Sequence, residues 1–538
     1  MTEQIVIAPL IVALVAAIAT LGTKYWPRLQ RAVSVLGGVA YLAVVALLFQ
    51  TVQAEGILTY QLSDWAAPFG ISVVADSLTA FMLVLGAVVS FVALAFAATY
   101  VDEFGQRLSF HPLFHFMMVG VSGSFLTGDI FNLFVWFEVM LMSSYVLVVF
   151  YSGAEHTKAA LQYVVLNLVG SAIMLLSIGG LYSVTGTLNM ADLARRLADP
   201  AAYGIDPAPV LGLSVILFAV FALKAGIVPF HWWVPAAYRA APAPVSAVLA
   251  GVVKKVGVYA IIRLYFTIFS VATFGDLGLP GFAGDSLLAF YGPILFVMAA
   301  ASIFLGGFGA IDRDNLDDLL AYSSIGQVGF IILPLAIGAT ATGVVPGTGG
   351  TTIRTLAITA ALIYTVNHGL AKGGLFLVSG AVYEAVGTIE FDDLGGLSER
   401  APTLSVAFLV AALALVGIPP LSGFFGKFLV FDTAVQAVAV DAPGAELALV
   451  VALGGAILTI AYVTRAWNRG FWGPPSELVE DAYSPRQQVA IALLLVVAVV
   501  AVGIGFDPVF RAAEDAARAA TNTGAYRDAV LFLGGGLV

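Results

Sequence analysis

Long, continuous apolar runs dominate the chain, cut by short clusters of charge, Gly or Pro and not by regular alternation of polar positions. Continuous runs predict helices, whereas a membrane barrel would alternate. Fourteen candidate spans result, at 4–23, 32–53, 76–100, 110–127, 129–151, 158–184, 207–230, 243–269, 287–310, 315–338, 354–384, 402–439 (a broken helix), 446–468 and 486–505. The first follows Glu3 and no base, which predicts a spanning helix; a signal peptide ending near Ala17 or Ala19 is the alternative. The stretch 507–538 mixes Arg511, Glu514, Asp515 and Arg518 with alanines and predicts an interfacial helix.

Composition sharpens this picture. Of the 538 residues 60% are hydrophobic and 10% charged, with a mean hydropathy of +1.00. Soluble proteins carry roughly 25% charged residues, so a water-soluble enzyme is excluded. The absence of Cys excludes disulfides, thiolate zinc, Cys-ligated iron–sulfur clusters and Cys nucleophiles. A net charge of −10 without a basic block argues against nucleic acid. Lys and Arg fall unevenly on the two faces: eleven on the side that holds Lys24, Arg107, Arg239 and Arg469, and six on the side that holds Arg195 and Arg354. The positive-inside rule then places both termini outside.

Two spans look interrupted. One reads KAGIVPFHWWVP, with Pro229 and Pro235; the other reads GIPPLSGFFGK, with Pro419, Pro420 and Gly423. Pro removes a backbone donor and breaks a helix, and in lipid the freed groups must face protein or a wet cavity. A pair of broken helices in two halves points to repeats around a transport site. Residues 163–182 and 364–383 match weakly, which sets Asn167 opposite His368.

Charged residues inside spans cost ~2.5–3.5 kcal/mol each on insertion scales, so four lysines cost on the order of 10 kcal/mol before pairing. Glu138 lies deep in its span, and Lys224 just before the Pro229 break. We read them as a proton-exchangeable pair, in which neutralising the carboxylate loosens the amine's proton. A structural carboxyl or a snorkelling lysine is the plainer alternative. Lys254 and Lys255 point about 100° apart, so both are not expected to face one cavity, and spacing does not choose between them. His368 and Lys372 share a helix face at i, i+4, which suits a relay better than a satisfied core histidine. Lys427 follows the second break as the counterpart of Lys224, with Asp432 read as a helix-end carboxylate. Asp76 and Asp129 read as N-caps, His231, Trp232 and Trp233 as an interfacial belt, and the DRDNLDD and EFDD segments as solvated loops. No metal or cofactor site is expected.

The stretches GDIFNLFVWFEVMLMSSY, LKAGIVPFHWWVPAAYRAAPAPVSAVLAG, KKVGVYAIIR, LLAYSSIGQVGF, NHGLAKGGLFLVSG and GIPPLSGFFGKF resemble the antiporter-like subunits shared by Mrp-type cation/proton antiporters, respiratory complex I and membrane-bound hydrogenases. The similarity runs from about residue 70 to 470, and the D-type branch of the Mrp antiporters is the one it most resembles. The resemblance implies an all-α polytopic membrane protein of about fourteen transmembrane helices, with two inverted five-helix repeats and broken helices 7 and 12. It divides the chain into residues 1–109 (helices 1–3), 110–270 (first repeat), 287–470 (second repeat) and 471–538 (helix 14 and tail). It implies a mid-membrane proton path through Glu138, Lys224, Lys255, His368 and Lys427, with Lys372 as a further candidate and Lys254 as a neighbour.

The expected function is the proton-translocating subunit of a multisubunit antiporter that exchanges cytoplasmic Na⁺ for external H⁺. Its partners would be other antiporter subunits, in the plasma membrane. The alternatives are a proton-pumping module of complex I, a hydrogenase or a bicarbonate-uptake complex, or an assembly subunit with residual polar residues. The last fits poorly with so many intramembrane lysines.

Overall fold

Apolar runs of this length satisfy their backbone polar groups in lipid by coiling into helices. The computed structural model, which describes residues 3–274 and 286–532, is built that way almost throughout. The spans are α1 (Gln4–Gly22), α2 (Pro27–Glu55), α3 (Ser77–Tyr100), α4 (Phe110–Leu126), α5 (Ile130–Val148), α6 (Ala154–Thr185), α7 (Pro207–Ala225 and Trp233–Ala240) and α8 (Ala243–Val271). They continue with α9 (Leu287–Ile311), α10 (Leu316–Thr340), α11 (Ile353–Val386), α12 (Pro402–Val416 and Ser422–Ala439), α13 (Ala445–Phe471) and α14 (Arg486–Ile504). Among the described residues, eleven helices are long and apolar enough to cross a membrane by length and composition, and α4 and the first half of α12 are shorter apolar helices. The chain is a multi-pass, all-helical membrane protein.

The connections sort into two faces by their contacts. On one face Arg239 reaches Asp318 at 3.0 Å, Asn315 bridges to Glu390, and Arg469 reaches Asp314 at 2.8 Å. On the other, Asp129 bridges to Asn189 and Val73 to Thr127. Loops that meet this way are those that alternate correctly for fourteen crossings. The first face carries the excess of Lys and Arg, which the positive-inside rule assigns to the inner side.

On the outer face lies a short antiparallel hairpin that hydrophobic periodicity did not predict. Its strands β1 (Leu58–Gln61) and β2 (Ser72–Ala75) pair Leu58 with Ala75 and Gln61 with Ser72. The tail also differs from expectation. Here α15 (Phe506–Thr521) is amphipathic, but its apolar stripe of Ala513, Ala516, Ala517 and Ala520 is buried against α3 and α11 and not laid on lipid. A final helix, α16 (Thr523–Leu531), seats Tyr526 over the Arg263 guanidinium at 4.8 Å. Residues 533–538 of the expected interfacial stretch lie outside the described residues.

The core is formed by α8, α10 and α11. The apolar windows of α8 and α10 are 100% and 94% buried, and nearly every residue of α11 is buried. One local feature of α8 bears directly on its lysines. Residues Leu249–Val253 form a π-helical turn immediately before Lys254 and Lys255. Such turns insert an extra residue into the helical repeat and re-aim the side chains beyond it.

Candidate functional site

The two breaks are built alike. Gly226 ends the first half of α7 with φ +63° in a Gly-Ile-Val-Pro sequence, and Gly417 ends the first half of α12 with φ +94° in a Gly-Ile-Pro-Pro sequence. Only Gly adopts this left-handed conformation without steric cost. A Cβ at Gly226 would lie 2.6 Å from Val234 Cγ2 and 3.0 Å from Lys254 Cε. The polar groups freed by the breaks are met by protein, as lipid requires. Ser302 Oγ accepts from the Val228 amide at 3.0 Å, and the Trp233 indole donates to the Leu223 carbonyl at 2.8 Å. In α12, Lys427 Nζ donates to the Val416 carbonyl at 3.1 Å.

These contacts correct one expectation. Trp232 is exposed, but Trp233 and His231 are buried, so they do not form an interfacial belt. The break draws them inward to serve its own backbone.

At the first break Glu138 and Lys224 meet through an intermediary. Ser171 on α6 donates to Glu138 Oε1, while Lys224 Nζ donates to Ser171 Oγ at 3.2 Å and to the Asn167 carbonyl at 3.5 Å. Lys224 is buried and Glu138 partly so. A hydroxyl that accepts from the ammonium and donates to the carboxylate keeps the two charges electrostatically coupled while giving a proton a path between them.

Lys254 and Lys255 are both fully buried, and both reach the same cluster. Lys255 Nζ contacts His368 Nδ1 and the Ala250 carbonyl inside the π turn. Lys254 packs on Gly226 at the first break and donates to the Ser324 carbonyl at 3.1 Å. Ser324 Oγ lies 3.3 Å from His368 Nε2. The expectation that two adjacent lysines would not face one cluster therefore fails. Side chains 100° apart on α8 still converge, because one extends along the break and the other folds back over the π turn. Lys372, one turn from His368, donates to the Leu320 carbonyl at 2.9 Å and to Ser323 Oγ.

Further along α10, Gln327 accepts from Tyr364 and donates to Thr459 at 3.1 Å and Tyr462 at 2.7 Å. Phe330 then places its ring 5.0 Å from Lys427 Nζ. Lys427 is not at the position equivalent to Lys224. Lys224 lies two residues before Gly226, whereas Lys427 lies ten after Gly417. Its ammonium returns to the carbonyl end of the first half-helix, where the helix dipole favours a cation. Asp432 accepts from Gln436 one turn on, at 3.1 Å.

Reasoning from sequence missed Ser171, Ser323, Ser324 and Gln327. It also missed the partner of Asp76. That residue caps α3 through the Thr79 amide at 2.9 Å, and it is paired at 2.6 Å with Arg263, both fully buried. The signal was present, since Arg263 sits inside an apolar span, but nothing in the sequence tied the two together. Asp129 caps α5 as expected, accepting from the Asn132 amide at 2.8 Å. Of the acidic loops, Asp312, Asp314 and Asp392 are exposed, while Asp317 accepts from Ser379 at 2.5 Å.

Comparison with known proteins places this arrangement. The profile of the family described as NADH:quinone oxidoreductase/Mrp antiporter, TM, matches residues 127–442. The D subunit of the Na(+)/H(+) antiporter of Alkalihalophilus pseudofirmus is 33% identical over 512 residues, which cover 95% of each chain. The similarity thus extends well beyond residues 70–470. A chain in the structure of the Mrp complex from Dietzia sp. DQ12-45-1b superposes with a TM-score of 0.83 at 26% identity, covering 98% of this chain and 99% of that one. A chain of respiratory complex I from Thermus thermophilus superposes with a TM-score of 0.76 at 25% identity, over the whole of both chains.

Proposed function

This chain belongs to the NADH:quinone oxidoreductase/Mrp antiporter membrane family, and from that premise we propose that it is the D-type, proton-translocating subunit of a multisubunit antiporter that exchanges cytoplasmic Na⁺ for external H⁺. It is a transporter component and not an enzyme. The observation that carries the reading is the series of ionisable side chains inside an apolar bundle, in three hydrogen-bonded groups: Glu138–Ser171–Lys224, Lys254–Ser324–His368–Lys255, and Lys427 on the Val416 carbonyl.

In this reading residues 110–270 and 287–470 are inverted repeats. Helix α4 starts from the inner face and α9 from the outer, and a break that opens on Gly-Ile and contains Pro falls in the fourth helix of each repeat, α7 and α12. Glu138, Ser171 and Lys224 gate one half of the path. Lys255 and His368 form its centre: the ammonium donates to Nδ1, or the imidazole carries the proton and the amine accepts it. Lys254 ties that centre to the α7 break, and Lys372 anchors α11 to α10 beside it. Lys427 leads to the other half. A change of charge at one station alters the proton affinity of the next.

The test is Na⁺-dependent proton flux in everted vesicles from an antiporter-deficient host. The whole operon is compared with the same operon carrying Glu138→Ala, at equal assembly. Flux in the first and none in the second supports the reading. An assembled wild type without Na⁺-dependent flux sinks it in favour of a redox-linked or bicarbonate-linked proton module.

A further inference from the structure

The axis leaves α1–α4 without a part in proton movement, yet α2 and α4 enclose a buried polar cluster of their own. His111 and His115 stand at i and i+4 on α4, on one face, and both are buried. Ser34 of α2 reaches between them, with Oγ 2.9 Å from His111 Nδ1 and 3.1 Å from His115 Nε2. A serine hydroxyl has one proton and cannot donate to both rings. With both imidazoles neutral, one ring nitrogen accepts from the hydroxyl and the other is an N–H that donates to the same oxygen. The trio is therefore an N–H···O–H···N chain.

Both ends of this chain are open. At one end His111 Nε2 is buried and has no hydrogen-bond partner among the described residues. At the other, His115 lines a cavity of ≈ 10 Å³ with Tyr41 and Ser90. That is about the space one water molecule needs. Across it the Tyr41 hydroxyl lies 2.8 Å from Ser122 Oγ. The His111 end faces the inner loops, where Arg31 lies one turn before Ser34. At the Tyr41–Ser122 end, Tyr41 lies about halfway along α2 and Ser122 about three-quarters along α4.

We propose that α2 and α4 hold a second proton-transfer chain, separate from the Glu138–Lys427 axis, that runs from the inner face through His111, Ser34 and His115 to Tyr41 and Ser122. A proton taken up at His111 Nε2 releases Nδ1–H to Ser34 Oγ. Ser34 passes its own proton to His115 Nε2, and His115 gives up the proton on Nδ1 toward the cavity. One proton enters and one leaves. Both rings end as the opposite tautomer, with no charge retained, and a ring flip or a reverse passage resets them.

The chain itself does not depend on the antiport reading; only its contribution to flux does. The experiment uses the complete complex, labelled with ¹⁵N-histidine and reconstituted in liposomes, as wild type, Ser34→Ala and Ser34→Thr. Nitrogen-15 NMR separates the two tautomers. Averaged tautomers for His111 and His115 in the wild type and Ser34→Thr, and a single fixed tautomer in Ser34→Ala, uphold the chain. Fixed tautomers in the wild type, unchanged by Ser34→Ala, overturn it.

In everted vesicles Ser34→Ala is expected to lower Na⁺-dependent proton flux about tenfold at unchanged assembly and Tm, with Ser34→Thr close to wild type. Tyr41→Phe, which keeps the ring, should give the same loss and decides the matter if Ser34→Ala does not assemble. Wild-type flux in both variants overturns the transport role. Absence of flux in the wild type sinks the antiport reading alone, and the tautomers still decide the chain.

Discussion

At the scale of single residues, the proposed path requires of the Lys255–His368 contact a side chain that can both hold and release a proton. Lys255→Met keeps the length and loses the proton; Lys255→Arg keeps the charge but does not give its proton up. Both are expected to lower Na⁺-dependent proton flux by about 10² or more while the complex assembles normally. Flux retained by the arginine variant would show that fixed charge, and not proton exchange, is what the position supplies. The Asp76–Arg263 pair makes a different prediction. Asp76→Asn strands a buried guanidinium, which costs about 3–5 kcal/mol, so the Tm of the complex should fall sharply. Adding Arg263→Met should recover part of the loss, and a double variant as unstable as the single one would refute the pairing. Lys255 was separated from Lys254 only by the family resemblance, whereas Glu138, Lys224, His368, Lys372 and Lys427 were legible in the sequence because a charge or a histidine stands out against apolar neighbours. Ser171, Ser323 and Ser324 were not. Serines in these helices commonly bond their own backbone, as Ser177 does to Ile173 and Ser405 to Ala401, and sequence does not separate those from the ones that meet a charged or titratable side chain.

At the scale of elements, the breaks depend on glycine. Gly226→Ala forces a side chain into the left-handed region, costing roughly 1–2 kcal/mol, and drives its Cβ against Val234 and Lys254. The expected result is a lower Tm and a slower flux together, because the same atoms hold the helix end and the lysine. A variant that lost stability but kept its rate would separate the break from the proton path. The spans themselves were readable to within a few residues, since long apolar runs leave the backbone one solution in lipid. The β1–β2 hairpin was not, because four-residue strands are too short to show a period. Nor was the burial of α15, since an alanine stripe reads the same whether lipid or protein covers it. The π turn in α8 leaves no trace in the sequence, and the joint approach of Lys254 and Lys255 went unseen with it.

At the scale of the whole molecule, charged side chains tie the inner ends of α10, α13 and the α11–α12 connection together. Arg469 bonds both Asp314 and Asp392, and Arg465 reaches Asp314 at 3.3 Å. The Arg469 hydrogen bond holds the Asp314 carboxyl below its ordinary value of 3.8. A group depressed in the folded state contributes above its unfolded value and loses that contribution as pH falls through the folded one. The latch should therefore be indifferent to pH from about 5 upward and loosen below about 4. As an exposed network it should also weaken with salt. Hydrogen exchange of residues 312–316 measures both, and protection that declines already between pH 7 and 5 would contradict the assignment. The outer surface makes a further prediction. Leu161, Leu168 and Leu176 of α6 are half or more exposed, and we expect the chain expressed without its partner subunits to show no Na⁺-dependent flux.

One helix touches nearly all of this. Within the eleven residues from Leu320 to Phe330, α10 meets Lys372, Lys254, His368, the Gln327 cluster and Lys427, one contact after another along a single side. A rigid rod that carries these contacts in a row works like a camshaft: turning it to release one follower moves the others beyond the first break in the same stroke. Timing is then set by geometry and not by diffusion between sites. Slippage, a proton crossing without its counter-ion, would require α10 itself to bend.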